Sequence, residues 1–205
     1  AVVLATGHSA RDTWRALAAD GVRFEAKPFQ LGLRIEHPQE LVDVARYGDQ
    51  AKAIGAASYN LVSRAEAGLS ATFSFCMCPG GRIVASVSAP GLLCTNGMSN
   101  SRHSSAWATS AIVTTFGPDD FGSDPFDGVE FQREIEAKFF AAGGSDYTAP
   151  AQSAADFLSR RIGASVRHST YPFGTRSARV DLLLPERARA SIARGTSSMR
   201  TMGPP

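Results

Sequence analysis

Two thiols, Cys76 and Cys78, stand one residue apart immediately before the turn Pro79-Gly80-Gly81. On an extended strand, side chains two residues apart share a face, so both sulfurs are expected to point the same way. Such a pair suits three chemistries: two-electron redox exchange, half of a metal site, or a single thiolate nucleophile. The plain alternative is that both are small buried side chains, since free cysteine is among the most buried residue types. His8, His37, His103 and His168 fall at no spacing that would complete a metal site. The turn offers backbone without side chains, which a flat ligand can approach closely, or it is simply a tight turn between strands. A second polar cluster, Arg34, Glu36 and His37, lies just before Pro38. There Arg34 or His37 suits an anionic substrate or a proton donor; the plainer outcome is an exposed Arg34-Glu36 pair of little net value. No Ser-His-Asp ordering points to a hydrolase.

The elements that must position these groups follow from periodicity. Val2-Val3-Leu4 is a continuous apolar run of the kind found in doubly covered parallel strands. A helix should follow it to about Ala19, its start marked by Ser9 and Asp12 as in a capping box and its end by Gly21. Phe29, Leu31, Leu33 and Ile35 alternate with Gln30, Gly32 and Arg34, the pattern of a half-buried strand. Pro38 opens a short helix that ends near Gly48. Residues 51–70 read as loop with an edge strand at 59–62. Residues 72–98 form the strongest β region, with Ala89-Pro90-Gly91 as a hairpin turn, and 106–116 is a further strand. After a loop over 117–128, Asp127 and Glu130 cap a helix that Gly143-Gly144 ends. A second helix spans about 151–162, with Pro150 near its start. Helices with a mostly antiparallel middle give an α+β fold: a piece of parallel α/β sheet leading into a β-rich domain with helices against it.

Composition narrows the class. The 205 residues are 43% hydrophobic and 20% charged, enough to bury a core. A net charge of +2 without runs of like charge argues against a nucleic-acid partner. No apolar run approaches the roughly 20 residues that cross a bilayer, so no membrane partner is expected. Three cysteines, an odd number, make no disulfide framework and fit a reducing, cytoplasmic setting. The opening on an apolar run leads us to expect upstream sequence, and Gly195 to Pro205 reads as a disordered tail after a helix that starts near residue 185.

Several longer motifs occur in one order: Val2-Val-Leu-Ala-Thr-Gly7, Lys27-Pro-Phe-Gln-Leu-Gly-Leu-Arg-Ile-Glu-His-Pro-Gln39, Phe73-Ser-Phe-Cys-Met-Cys-Pro-Gly-Gly81, Asn96-Gly-Met-Ser99 and Gly128-Val-Glu-Phe-Gln-Arg133. Together they resemble the NAD(FAD)-utilizing family of FAD-dependent dehydrogenase flavoproteins, over residues 1 to about 185. The resemblance implies that residues 1–21 end a Rossmann-type FAD-binding half, that 22–184 are an inserted substrate-side β-rich domain, and that 185–205 are a helix start and tail. It implies FAD as cofactor, with Ala5, Thr6, Gly7, Pro79, Gly80 and Gly81 beside it, and NAD(P)H as a candidate electron partner. Cys76, Cys78, His37 and Arg34 become the catalytic candidates, acting on a small-molecule substrate. The glycine-rich GxGxxG turn that holds the FAD pyrophosphate in that family has no counterpart in the 205 residues. We therefore expect an internal piece, inactive alone, whose partners include the N- and C-terminal remainder of the same flavoprotein. Residues 100–107 also depart from the family's asparagine-rich pattern, leaving Ser104 and Ser105 without an implied role. The alternatives are a self-contained β-rich ligand-binding or scaffold domain, and a thiol or metal protein centred on Cys76 and Cys78.

Overall fold

Strand β6 (Trp107–Phe116) is the axis of the molecule. It has no charged residue and is rich in β-branched and aromatic side chains, which suits a central strand covered on both faces. The computed structural model describes residues 2–163, 166 and 168–200, with the side chains of 198–200 left aside. In the main sheet, β1 (Phe29–Pro38) pairs with β6, β6 with β3 (Thr72–Cys78), and β3 with the short edge strand β2 (Val62–Ser63), all antiparallel. A separate antiparallel hairpin joins β4 (Gly81–Ala85) to β5 (Thr95–Ser99). The parallel pairing is confined, among the described residues, to β7 (Ala149–Ala151) and β8 (Thr175–Ser177). The fold is mixed α+β with mostly antiparallel sheet.

One face of the main sheet is closed by helices. Ile112 and Phe116 of β6 pack with Phe157, Leu184, Ala188 and Ile192, and with Leu31, Leu33 and Ile35 of β1 at their margin. Phe157 lies on α6 (Ala154–Leu158), and Ala188 and Ile192 on α7 (Glu186–Arg200). The long helix α5 (Asp127–Gly143) contributes Phe131 and Phe139. A second core, Ile83, Leu93 and Tyr171, lies under the hairpin.

The strands from 29, 72 and 107 and the helices α1 (Arg11–Ala19), α2 (Gln39–Tyr47) and α5 stand where periodicity puts them. Six features differ. Residues 2–7 form coil, with Val2, Val3 and Leu4 exposed to 89, 86 and 59%. A buried strand needs a neighbour to take its backbone hydrogen bonds, and among the described residues no strand pairs with these. The helix starts of α1 and α5 carry no side-chain cap, because Ala10 and Phe126 occupy the cap positions; Asp127 instead accepts from the Asp124 backbone N–H at 2.9 Å. The loop after Phe116 holds a turn of helix, α4 (Pro118–Phe121), in which Asp120 accepts from the Gly117 N–H. Similarly, 51–54 are α3 (Ala51–Ile54).

Pro150 lies in β7, and α6 starts only after Ser153, whose hydroxyl accepts from the Asp156 N–H at 3.1 Å. Finally, the expected tail from Gly195 is helix to Arg200. Ala188, Ser191, Ile192, Gly195 and Thr196 are buried at helical spacing, and a Cβ on Gly195 would lie 2.8 Å from Thr72 Cγ2. Gly195 is thus a close-packing point, not a stop, while residues 201–205 lie outside the described residues.

Candidate functional site

The antiparallel register carries Arg34 and the thiols to the sheet face opposite the α7 core. Arg34 stands across from Ala111, and Ala111 from Phe75; Glu36 stands across from Thr109, and Thr109 from Cys78. From Phe75 to Cys78 is three steps on β3, against two from Ala111 to Thr109 on β6, so β3 carries an extra residue as a bulge. Cys76 sits in that bulge with φ +47°, a left-handed conformation uncommon for a residue with a side chain. The bulge breaks the shared face expected of the two cysteines: Cys76 is exposed, while Cys78 is 8% exposed.

Arg34 holds the bulge in place. Its Nη1 donates to the Cys76 carbonyl at 2.9 Å and its Nη2 to Asn96 Oδ1 at 2.8 Å. The same Asn96 oxygen accepts from its neighbour Gly97 N–H at 2.8 Å and faces Cys76 Sγ at 3.8 Å. Behind the bulge, Cys78 Sγ donates to the Cys76 carbonyl at 3.3 Å. Burial pushes the Cys78 thiol above the ordinary thiol range, and the adjacent Cys76 adds to this, against the pull of the Arg34 guanidinium. A Cβ on Gly97 would lie 2.6 Å from Arg34 Nη1 and 2.8 Å from Cys78 Sγ, so one of those side chains would have to shift. Glu36 does not pair with Arg34: its carboxylate accepts from the Thr170 N–H at 3.2 Å and from the Thr170 hydroxyl.

His37 is not part of this cluster. One residue further from Glu36 on β1, it points to the other face, where its Nε2 lies 2.9 Å from the Tyr59 hydroxyl. Burial lowers its pKa, and Nδ1 has no hydrogen-bond partner. Desolvation therefore favours a neutral imidazole.

The Pro79-Gly80-Gly81 turn joins two different sheets and is not open. Gly80, at φ +50°, donates its N–H to Gln39 Oε1 at 2.7 Å and accepts from the Ser105 N–H at 3.1 Å; a Cβ there would meet the His103 carbonyl at 1.8 Å. The Pro79 carbonyl accepts from Ser99 Oγ at 2.6 Å and from His103 Nδ1 at 3.0 Å. A Cβ on Gly81 would lie 2.8 Å from the Met98 carbonyl. The close approach these glycines permit is to the protein's own backbone. Gln39, buried and also donating to Asp43 Oδ1 and the Ala57 carbonyl, ties this turn to α2. Ala5, Thr6 and Gly7 are exposed coil, and no atom lies within 4 Å of a Cβ built on Gly7.

A flavin needs a flat slot with apolar walls and a few backbone donors. Among the described residues one open groove is lined by polar groups such as Gln39, Glu40, Asp43 and Lys52 together with Pro38, Ala106 and Trp107. No group of three or more His, Cys, Asp or Glu able to hold a metal gathers among the described residues. None of their helices is long and apolar enough to cross a membrane.

Residues 28–203 match the family model described as "FAD-dependent protein, C-terminal domain-like". The chain belongs to this family. It is also 45% identical over 169 residues to an uncharacterized protein of Clostridium beijerinckii (strain ATCC 51743 / NCIMB 8052), covering 81% of this chain but 32% of that protein. The chain thus spans about a third of the length of that curated relative. Within this FAD-dependent family domain fall Arg34, His37, both thiols and the glycine turn, whereas Ala5, Thr6 and Gly7 precede the matched range. Sequence reasoning about single residues missed Asn96 and Gln39. The signal for Asn96 was its position before Gly97 in a strand, where an exposed amide next to a residue without a side chain marks a close approach.

Proposed function

We propose that this chain is the substrate-side part of a FAD-dependent oxidoreductase, a dehydrogenase that moves reducing equivalents between bound flavin and a small-molecule substrate. The match of residues 28–203 to a FAD-dependent family carries this reading. Flavin supplies two-electron transfer when bound, and the greater part of its site belongs to the remaining two thirds of a protein as long as the Clostridium beijerinckii relative. Of this chain, the exposed Ala5-Thr6-Gly7 backbone is the segment left free to approach the cofactor. Arg34, fixed from two sides by Cys76 and Asn96, is the cation for an anionic substrate group. The Pro79-Gly81 turn acts as internal support, and half-buried His37 takes no part. NAD(P)H is the electron partner in this reading.

The test is the full-length protein purified with its cofactor. Expected are a flavin absorbance spectrum, bleaching of that spectrum by NADH or NADPH without oxygen, and a raised KM for substrate in Arg34→Ala with flavin content unchanged. A well-folded full-length protein that neither retains nor binds added FAD overturns the proposal.

A further inference from the structure

We propose that Cys76 and Cys78 form a reversible dithiol–disulfide couple that exchanges electrons with small-molecule disulfides, Cys76 as the entry thiol and Cys78 as the resolving thiol. The inference stands on this chain's own geometry and does not need the flavin reading. In a regular strand, residues two apart stand about 6.8 Å apart along the chain, while a disulfide needs Cβ atoms about 4 Å apart. A regular β3 would therefore keep the pair open. The extra residue and the left-handed backbone at Cys76 depart from that regular spacing, and Cys78 Sγ reaches to 3.3 Å from the Cys76 carbonyl. Both sulfurs border the same Asn96-Gly97 step, Cys76 Sγ at 3.8 Å from Asn96 Oδ1 and Cys78 Sγ at 2.8 Å from where a Gly97 Cβ would be. The two thiols also differ as such a couple requires, one exposed and one buried directly behind it.

The exchange balances as follows. Exposed Cys76, as thiolate, attacks one sulfur of a small disulfide RSSR; the S–S bond breaks, a mixed disulfide forms at Cys76, and one RS⁻ leaves. Cys78 then loses its proton and attacks Cys76 Sγ, forming the Cys76-Cys78 bond and expelling the second RS⁻. Two protein thiols are oxidised, one RSSR is reduced to two RSH, and the two protein protons end on the two products. Arg34 borders the site of this step, donating to the Cys76 carbonyl at 2.9 Å, and its guanidinium and Cys78 Sγ both lie against Gly97. Cys94, half-buried with its thiol toward the Thr95 carbonyl, stays outside the couple.

The test uses the full-length protein, folded and reduced, treated with oxidised glutathione, then alkylated, denatured and digested with trypsin. The peptide 65–82 holds both cysteines and excludes Cys94. Expected in the wild type is loss of two hydrogens from that peptide with no retained glutathione, reversed by dithiothreitol. Cys78→Ser should stop at a stable glutathione adduct on Cys76. Cys76→Ser should slow modification of Cys78 by about tenfold or more, because the remaining thiol is buried. A wild type that stops at the Cys76 adduct, or that stays fully reduced across glutathione ratios, overturns the couple without bearing on flavin content. The wild-type measurement needs no variant to fold, and a FAD-free protein that still closes the disulfide would sink only the flavin reading.

Discussion

The two faces of β1 and β6 obey different rules. On the α7 face, strict alternation delivers Leu31, Leu33, Ile35 and Ile112 into one apolar core. On the opposite face β1 presents Arg34 and Glu36 beside Cys78 of β3, and there β3 breaks its register to push Cys76 outward. One face is held by area removed from water, the other by a few directional contacts centred on one guanidinium and one amide. The first tolerates volume-conserving change and punishes cavities. The second depends on where single atoms lie.

The largest expected effect tests the apolar face. Ile112→Ala removes a 2%-exposed side chain at the centre of the core and should cost about 2–5 kcal/mol in denaturant unfolding, with the reaction of Cys76 toward glutathione unchanged in whatever fraction stays folded. If Ile112→Ala costs under about 0.5 kcal/mol, the two-face contrast is broken.

Next, Gly97→Ala places a methyl group against Arg34 and Cys78 and should cost about 1–3 kcal/mol. Unlike Ile112→Ala, it should also change the rate at which Cys76 is alkylated in the folded protein; equal alkylation rates would show that the polar face is not poised by atomic fit.

A third measurement concerns Glu136 on α5, whose backbone carbonyl accepts from Leu93 of the hairpin at 3.1 Å. Its side chain is buried, with Oε1 accepting from Gln132 and Oε2 unpartnered, and burial pushes its pKa up. A folded pKa above the unfolded one means that stability is fully present below the unfolded value near 4.5 and is lost as pH rises through the folded value. Glu136→Gln should therefore raise stability at pH 7 and leave it nearly unchanged at pH 4, as read from denaturant unfolding at the two pH values. A variant equally stabilising at both values would mean that packing, not charge, sets the cost.

The smallest effect is at Asn96. Asn96→Ala should lower stability by only about 0.5–1.5 kcal/mol, the range of one or two hydrogen bonds, yet free the Arg34 guanidinium on one side. A double-mutant cycle with Arg34→Ala isolates that coupling, and additive effects would show that the amide does not orient the guanidinium.

The regular face was legible in the sequence because alternation and helical spacing are local signals. Phe29 through Ile35 and the run from Trp107 to Phe116 announce strands within a dozen residues. The other face was only half legible. Arg34, Cys76 and Cys78 were visible as chemistry, but their convergence depends on pairing across 42 residues and on a one-residue slip that no composition reveals. Pro79-Gly80-Gly81 misled for a physical reason: a glycine marks close approach without saying by what, and here the visitor is His103. Gly195 misled in the same way, because its contact with Thr72 lies far away in sequence. Val2 to Leu4 read as a strand because apolar runs indicate what a segment is able to pair with, not whether the partner is there.

The strand order β1-β6-β3-β2 bears on how the molecule is made. β1 precedes the other strands of its sheet in the chain, yet its neighbour there among the described residues, β6, ends at Phe116, opposite Phe29. A chain emerging from the ribosome can pair β2 with β3 and close the β4-β5 hairpin while β1 waits alone. Arg34 gains its lasting grip on Asn96 only when the sheet closes around β6. Until then Cys76 and Cys78 are two uncommitted thiols on a nascent chain, and the time spent in that state is set by the rate of translation.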